Sequence, residues 1–167
     1  MQVQTHLAIP ARGPAHRQAR SRLLILACSG RKRPVPGPAL ELYDGVLWRV
    51  LRRAQREGAA PVRVLALSAK YGLVPAEQVL EPYELRMTST RALELAPTVR
   101  QRLASYGPVT EVYVEVGHDY LPALPPAAGL ALLLHASTVR YGQGPIGVRG
   151  HLLKAWLTAA TGWNEET

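Results

Sequence analysis

The sequence predicts an α/β protein: a three-layer, Rossmann-like arrangement in which helices cover both faces of a mostly parallel sheet of four strands or slightly more. Short apolar runs alternate with longer stretches of helical periodicity along the chain, which is the order of βαβ units. The first runs are apolar at consecutive positions, as in strands covered on both faces. Hydrophobic residues make up 47% of the 167 residues and charged residues 19%, which is typical of a globular protein.

The first half of the chain contains two predicted strands and one long helix. An uninterrupted apolar run predicts the first strand at about 22–28. Apolar residues at helical spacing, with arginines on the opposite face, predict a helix over about 39–58 that Gly58 terminates. A second apolar run predicts the next strand at 62–68.

The segment 71–87 gives mixed signals. Val74 to Glu77 has the composition of a short helical turn, whereas Glu81 is expected to be extended because it precedes Pro82. The sequence therefore predicts a turn of helix followed by extended chain.

The second half contains two more predicted strands and two longer helices. Helical periodicity predicts a helix over about 89–106, which Pro97 kinks or splits. Apolar runs predict a third strand at 111–116 and a fourth at about 130–135, with a short helix between them that ends at two prolines. The last helix is predicted over about 148–161.

These strands should bring four loops together. Right-handed crossovers place the C-terminal ends of parallel strands at one edge of the sheet. The loops expected to converge there are 28–33, 68–73, 117–121 and 136–147.

Residues 21–163 are predicted to form a single α/β domain, preceded by a mobile basic arm over residues 1–20. The arm mixes proline and glycine with arginine and histidine, a composition typical of mobile termini. No apolar run approaches the roughly 18–20 residues that span a bilayer, and the first residues lack the apolar core of a signal peptide. The single cysteine excludes an internal disulfide, so we expect a cytoplasmic protein without a membrane partner.

The net charge of +8 favours a polyanionic partner such as DNA, RNA or a nucleotide. Five arginines near the N-terminus are candidates for contacts with a nucleic-acid backbone: Arg12, Arg17, Arg20, Arg31 and Arg33. The alternative is composition bias, because arginine far outnumbers lysine in this chain, as it does in proteins from GC-rich genomes.

Two segments, called here the Ser–Lys segments, end an apolar run with a small polar residue and a lysine. The first contains Cys28, Ser29, Gly30 and Lys32, and the second contains Ser68, Lys70 and Tyr71. Hydroxyls, free N–H groups and a cation at one edge of a sheet suit an anion such as phosphate. Neither segment has the spacing of a P-loop or of a dinucleotide-binding glycine motif. The alternative is a pair of ordinary turns with solvated lysines.

Lys70, Glu81 and His118 are the candidate catalytic residues. Lys70 directly follows a buried strand, and partial desolvation would let it act as a base or an electrostatic clamp. Glu81, held beside a proline, would supply a carboxylate, and His118 an acid or base near neutral pH. The competing interpretations are a capping turn with an exposed lysine, a plain surface turn and the start of a helix.

Further candidates would contact the ligand. Tyr71 and Tyr83 offer rings on which a base can stack. Cys28 is a candidate nucleophile, although packing is the more usual role of a lone buried cysteine. Glycines that let the backbone approach a ligand, and the polar residues near them, complete the set: Gly117, Asp119, Tyr120, Gly144 and Gly147. The histidines lack metal-ligand spacing, so we expect neither a metal nor a cofactor.

The order of these motifs resembles a small uncharacterised family of bacteria and phages with a C-S-x-x-K start and an S-A-K-Y-G-L centre. The resemblance spans about 23–157. The matching residues are Cys28-Ser29-x-x-Lys32, Leu42-Tyr43, Ser68-Ala69-Lys70-Tyr71-Gly72-Leu73, Glu81-Pro82-Tyr83, Gly117-x-Asp119-Tyr120 and Gly144-x-x-Gly147. Where that family has Gly-Lys or Gly-Arg before Asp-Tyr, this chain has Gly117-His118.

Two better-known groups are similar to parts of this pattern. C-S-x-x-K segments occur in a domain of archaeosine synthase, which modifies a deazaguanine base in RNA. The YaaA-type peroxide-stress proteins, linked to DNA binding and protection, are more distantly similar. The resemblance implies a site lined by Cys28, Ser29, Lys32, Ser68, Lys70, Tyr71, Glu81 and Tyr83.

The favoured hypothesis is an enzyme that acts on a nucleobase of a nucleic acid or nucleotide. It would cleave an N-glycosidic bond, as DNA glycosylases do, or modify the base. A carboxylate such as Glu81 would position water or stabilise the cationic sugar. The alternatives are a non-catalytic DNA- or RNA-binding protein of a stress or DNA-damage response, and a nucleotide sensor that uses the same pocket without chemistry.

Overall fold

The computed structural model describes residues 21–159, which form seven β-strands, five α-helices and one 3-10 helix. The expected basic arm over 1–20, with Arg12, Arg17 and Arg20, lies outside these residues. The strands are β1 Arg22–Ala27, β2 Gly37–Pro38, β3 Arg63–Ser68, β4 Gly72–Pro75, β5 Val79–Leu80, β6 Glu111–Glu115 and β7 Thr138–Tyr141. The helices are α1 Ala39–Leu42, α2 Val46–Arg56, α3 Ser89–Ala104, the 3-10 helix His118–Ala123, α4 Ala127–Leu134 and α5 Ile146–Thr158.

Five strands form the central sheet in the order β4-β3-β1-β6-β7. β1 lies parallel to both β3 and β6, and β6 lies parallel to β7. β4 is antiparallel to β3, to which it is joined by a short turn. β2 and β5 form a separate two-stranded pair. The predicted mixed α/β architecture with a mostly parallel sheet is therefore confirmed, with five strands in that sheet.

The side chains of β1 alternate between two hydrophobic cores. Leu23 and Ile25 belong to a core that includes residues of α3, the 3-10 helix and α4. Leu24 and Leu26 belong to a second core that includes residues of α1, α2 and α5. Successive residues of a strand point to opposite faces, so an unbroken apolar run is what a strand between two cores requires.

The predicted strand at 130–135 is wrong, because this segment lies in α4. Leu130 and Leu134 are buried, whereas Leu132 between them is 79% exposed. Burial four residues apart is the helical pattern, and the run has no β-branched residue that would favour a strand. The fourth parallel strand is β7, which begins three residues after the end of the predicted one.

The single helix predicted over 39–58 is two helices. α1 ends at Leu42, and Tyr43 takes an extended conformation before α2 begins at Val46, directly after Gly45. A Cβ on Gly45 would lie 2.7 Å from the Cβ of Ser29, so the break lets the chain pass close to the end of β1. Gly58 follows α2 with a φ of +87°, as expected for a residue that terminates a helix.

Three smaller boundaries also differ from the prediction. The helical turn expected at 74–77 is wrong, because Val74 and Pro75 belong to β4 and only Ala76 and Glu77 form a turn after it. α3 continues through Pro97 without a break. α5 begins two residues earlier than predicted. Within residues 21–159, no helix is both long and apolar enough to cross a membrane.

Candidate functional site

Both Ser–Lys segments lie at the C-terminal edge of the parallel strands. β1 and β3 are adjacent and parallel, with Ala27 paired to Leu67, so the turns after them leave the sheet side by side. The loop after β6 reaches the same edge because β6 is parallel to β1. Residues 142–145 follow β7 at this edge, whereas residues 136–137 precede β7 and lie at the opposite one.

A buried chain of hydroxyl groups lies beneath the second Ser–Lys segment. Ser68 is fully buried, and its Oγ accepts hydrogen bonds from the backbone N–H groups of Lys70 (3.2 Å) and Tyr71 (3.1 Å). The same oxygen lies 2.6 Å from the hydroxyl of Tyr83, which lies 2.9 Å from that of Tyr43. Burial raises the pKa of Tyr43 to about 12, and it also raises the pKa of Tyr83. Both phenols are therefore protonated at neutral pH.

The two lysines of the Ser–Lys segments approach the same aromatic ring. Lys32 Nζ lies 4.4 Å from the ring centroid of Tyr83, and Lys70 Nζ lies 5.8 Å from it. Lys70 Nζ is also 5.2 Å from the ring centroid of Tyr71. These are distances at which a cation and a ring attract each other. The side chain of Lys70 is exposed, so the partial desolvation expected for it does not occur in this structure.

The hydroxyl of Ser29 is used within its own turn. Ser29 Oγ donates to the carbonyl of Arg31 and accepts from the N–H of Gly45 at 3.1 Å. This contact fixes the start of α2 beside the end of β1. Ser29 and Ser68 therefore have the same local role, because each holds the turn that carries its lysine.

Cys28 directly follows β1 and is half-buried. Its Sγ is 3.2 Å from the hydroxyl of Tyr120, which belongs to the 3-10 helix after β6. Burial, together with the nearby thiol, raises the pKa of Tyr120. Tyr120 is therefore a neutral hydroxyl that can donate a hydrogen bond to the sulfur.

A cavity of about 580 Å³ opens above these groups, within the range of small-molecule sites. It is called here the edge cavity. Its walls come from the first Ser–Lys segment, the start of the 3-10 helix and the extended chain before α3. The lining residues are Cys28, Ser29, Gly30, Lys32, Glu84, Leu85, Arg86, Met87, Asp119 and Tyr120.

Sequence reasoning missed one wall of the edge cavity, residues 84–87. This segment has no regular secondary structure, so no periodicity marks it. Its position follows from Tyr83, whose buried hydroxyl ties the chain to Ser68 and Tyr43 just before the segment begins. The sequence feature that could have indicated this wall is Pro82, because the residue before a proline is kept extended.

Several predicted site residues do not line the edge cavity. Glu81 and His118 have exposed side chains, and the backbone carbonyl of Glu81 accepts a hydrogen bond of 3.4 Å from the Tyr71 hydroxyl. The cavity lining also lacks four other predicted residues, Ser68, Lys70, Tyr71 and Tyr83. Neither Gly117 nor the glycines of the loop before and within α5, Gly144 and Gly147, line it either.

Arg31 and Arg33 are exposed, and each forms an ion pair with a carboxylate. Arg31 Nε lies 3.3 Å from Asp44 Oδ2, and Arg33 Nη1 lies 3.1 Å from Glu41 Oε2. These pairs reduce the positive charge that either arginine presents to a nucleic-acid backbone.

A second group missed in the sequence is Glu115, the last residue of β6. Its side chain is fully buried, and Arg149 of α5 donates to its Oε1. Burial raises the pKa of Glu115, and Arg149 opposes this effect. A Cβ built on Gly142 would overlap the Glu115 carboxylate, so glycine at 142 is required by this close approach. The signal was a carboxylate at the C-terminal end of β6, directly after the buried residues 112–114.

Comparison with known proteins gives one family match. A family model described as a family of unknown function, DUF6884, matches residues 23–143. No curated protein matches the chain.

Proposed function

Since the chain belongs to the DUF6884 family, whose function is unknown, we propose a function from its site: it is an enzyme that binds a nucleotide, free or within a nucleic acid, in the edge cavity and acts on the nucleobase. The observation that carries this proposal is the composition of that cavity. Cations, carboxylates and a thiol from three separate segments line one space of about 580 Å³. Ligands of open α/β sheets bind at this edge.

Phosphate groups would bind on the side of Lys32. Lys32 and Arg86 both line the cavity, and Lys70 lies near the same tyrosine ring as Lys32. Charged hydrogen bonds from lysine and arginine are the usual contacts to phosphate. The apolar side chains of Leu85 and Met87 would face the base or sugar.

Asp119 replaces Glu81 as the carboxylate that would take part in the chemistry, because Asp119 lines the cavity and Glu81 does not. In N-glycosidic hydrolysis, the C1′–N bond breaks and a water oxygen bonds to C1′. The base leaves with the bonding electrons and takes up a proton. A carboxylate next to C1′ stabilises the positive charge on the sugar and accepts the proton of the attacking water. Modification of the base is the second reaction that this site would serve.

Two further expectations support the same proposal. The alternation of β1 side chains between two cores supports a three-layer, Rossmann-like arrangement, a fold whose nucleotides bind at this edge. The resemblance of the C-S-x-x-K segment to archaeosine synthase, and of the motif order to YaaA-type proteins, supports a nucleic-acid or nucleotide substrate.

The proposal is tested by incubating the protein with nucleotides and with short DNA and RNA strands, and measuring free or altered bases by mass spectrometry. Asp119→Asn should lower the rate by about 100-fold or more, the usual contribution of a positioned acid or base. Lys32→Ala should weaken substrate binding about tenfold, as expected for one lost charged hydrogen bond. Glu94→Gln and Lys154→Ala change exposed residues elsewhere and should have no effect. Full activity of both cavity variants on a confirmed substrate would contradict the assignment.

The second candidate function is non-catalytic binding of DNA or RNA. The observation that favours it is the net charge of +8, together with an exposed Lys70 beside the cavity rather than in it. A sensor of free nucleotides would use the edge cavity without either reaction. Binding without any change in the substrate would support these alternatives over the enzyme.

A further inference from the structure

A second, larger cavity lies between α5 and the strands β6 and β7, which form the end of the central sheet opposite to β4. Its volume is about 910 Å³, and it shares no lining residue with the edge cavity. It is called here the α5 cavity. One wall is formed by β7 and the residues next to it, and the opposite wall by Leu152 and Ala155 of α5 and by Ala159, which follows the helix. One wall is therefore polar and the other apolar.

Two arginines in the α5 cavity share one carboxylate. Arg22 Nε lies 3.4 Å from Glu111 Oε2, and Arg140 Nε lies 3.0 Å from Glu111 Oε1. Two guanidinium groups and one carboxylate leave one positive charge in excess among these three side chains. A second oxyanion would balance that charge.

Arg22 is buried and incompletely hydrogen-bonded. Its side chain is 4% exposed, and its guanidinium stacks 3.9 Å from the ring centroid of Trp156. Nη2 donates to the carbonyl of Trp156 and Nε is paired with Glu111, but Nη1 makes no hydrogen bond with the residues that the structure describes. The buried indole N–H of Trp156 also has no acceptor among them. Buried donors without acceptors are rare, because each costs free energy that a bound group would recover.

We propose that the α5 cavity is a second binding site, which holds the oxyanion group, a carboxylate or a phosphate, of a small organic molecule between Arg22 and Arg140. Arginine presents a planar fork of N–H donors that matches both groups. The apolar wall on α5 favours an organic ligand over an inorganic ion, because it would cover carbon atoms.

The source of the oxyanion is distinguished by two probes that differ only in the charged group. Benzoate carries a carboxylate on a phenyl ring and phenyl phosphate carries a phosphate on the same ring. Each is titrated into 15N-labelled protein while the Arg22 Nε–H and Trp156 indole N–H resonances are followed. Trp156→Phe identifies the indole signal among the three tryptophans.

We expect saturable shifts of both resonances with at least one probe below about 20 mM, a concentration that saturates a site with a Kd near 1 mM. A response to benzoate alone assigns a carboxylate ligand, and a response to phenyl phosphate alone assigns a phosphate ligand. Arg140→Gln changes an exposed side chain and should weaken binding about tenfold, the loss of one charged hydrogen bond. Inorganic phosphate should bind more weakly than phenyl phosphate.

The proposal is overturned if neither probe shifts these resonances, or if Arg140→Gln leaves the affinity unchanged. It is also overturned if Lys32→Ala abolishes the response, because the probes would then occupy the edge cavity. If the protein shows no activity on nucleotides or nucleic acids, the shifts of the Arg22 and Trp156 resonances are still expected. Failure of the proposed function and failure of this inference are therefore separate results.

Discussion

The hydroxyl of Ser68 joins the turn after β3 to the chain segment that carries Tyr83. One oxygen contacts two backbone N–H groups and a phenol, and serine is small enough to do this at a fully buried position. Because Tyr83 directly precedes the wall of the edge cavity, the shape of that cavity depends on this hydrogen-bonded contact. Ser29 has the corresponding role in the turn after β1.

Gly142→Ala is expected to destabilise the protein strongly. The new methyl group would overlap the Glu115 carboxylate, which is buried and held by Arg149, so the loop or the ion pair must move. Overpacking of this kind costs about 1–3 kcal/mol, and displacing a buried charge adds to it. The free energy of unfolding is measured by denaturant titration.

The matched control is Gly147→Ala, in the first turn of α5. A Cβ there has no heavy atom within 4 Å, so we expect a gain of about 0.5–1 kcal/mol from the lower flexibility of the unfolded chain. Equal effects of the two substitutions on the free energy of unfolding would contradict the inference that the close approach to Glu115 requires glycine at position 142.

At the scale of elements, α4 shows why an apolar run alone does not distinguish a strand from a helix. The run from Leu130 to Leu134 satisfies both patterns, and only the tertiary structure decides which residues are buried. α4 packs its buried leucines into the same core as Leu103 of α3, and β7 follows it at the edge of the sheet.

The substitutions Leu130→Ala and Leu132→Ala test whether this segment is a helix. Leu130 is fully buried, so its truncation should lower the free energy of unfolding by about 2–5 kcal/mol. Leu132 is 79% exposed, and its truncation should change stability by less than about 0.5 kcal/mol. Losses of similar size would contradict the helix, because residues two apart in a strand lie on the same face.

At the scale of the whole molecule, charge and fold point to different partners. The net charge of +8 favours long polyanions, whereas the edge cavity has the volume of a site for one small molecule, such as the nucleotide proposed above. The two are compatible when the nucleotide is part of a nucleic acid, in which case a base in a duplex must turn out of the stack.

Salt dependence separates these partners. If the protein binds DNA or RNA through about six phosphates, its affinity should fall about 1,000-fold between roughly 50 and 200 mM salt. Binding of a free nucleotide should fall much less, because few counterions are released. Gel-shift titrations at the two salt concentrations, with fluorescence titration of the nucleotide, measure both. If the affinity for DNA or RNA falls only slightly over this range of salt concentration, the result favours the free nucleotide as the ligand.

The approach of Lys32 and Lys70 to one ring could be predicted in outline, because two parallel neighbouring strands must end at the same edge. The wall at residues 84–87 could not, because an extended segment without periodicity takes its position from tertiary contacts such as those of Tyr83. Glu115 was missed because its burial depends on Arg149, which lies 34 residues further along the chain. Local patterns predicted β1, β3, β6 and α3 closely, and they do not predict which distant side chains meet.

The position of Cys28 makes the edge cavity open to chemical footprinting. It is the chain's only cysteine, it lines that cavity, and it is partly exposed. The rate at which an alkylating reagent modifies the protein therefore reports on a single place, without any engineered label. A molecule that fills the cavity would slow this modification, so candidate ligands can be ranked by the protection that they give.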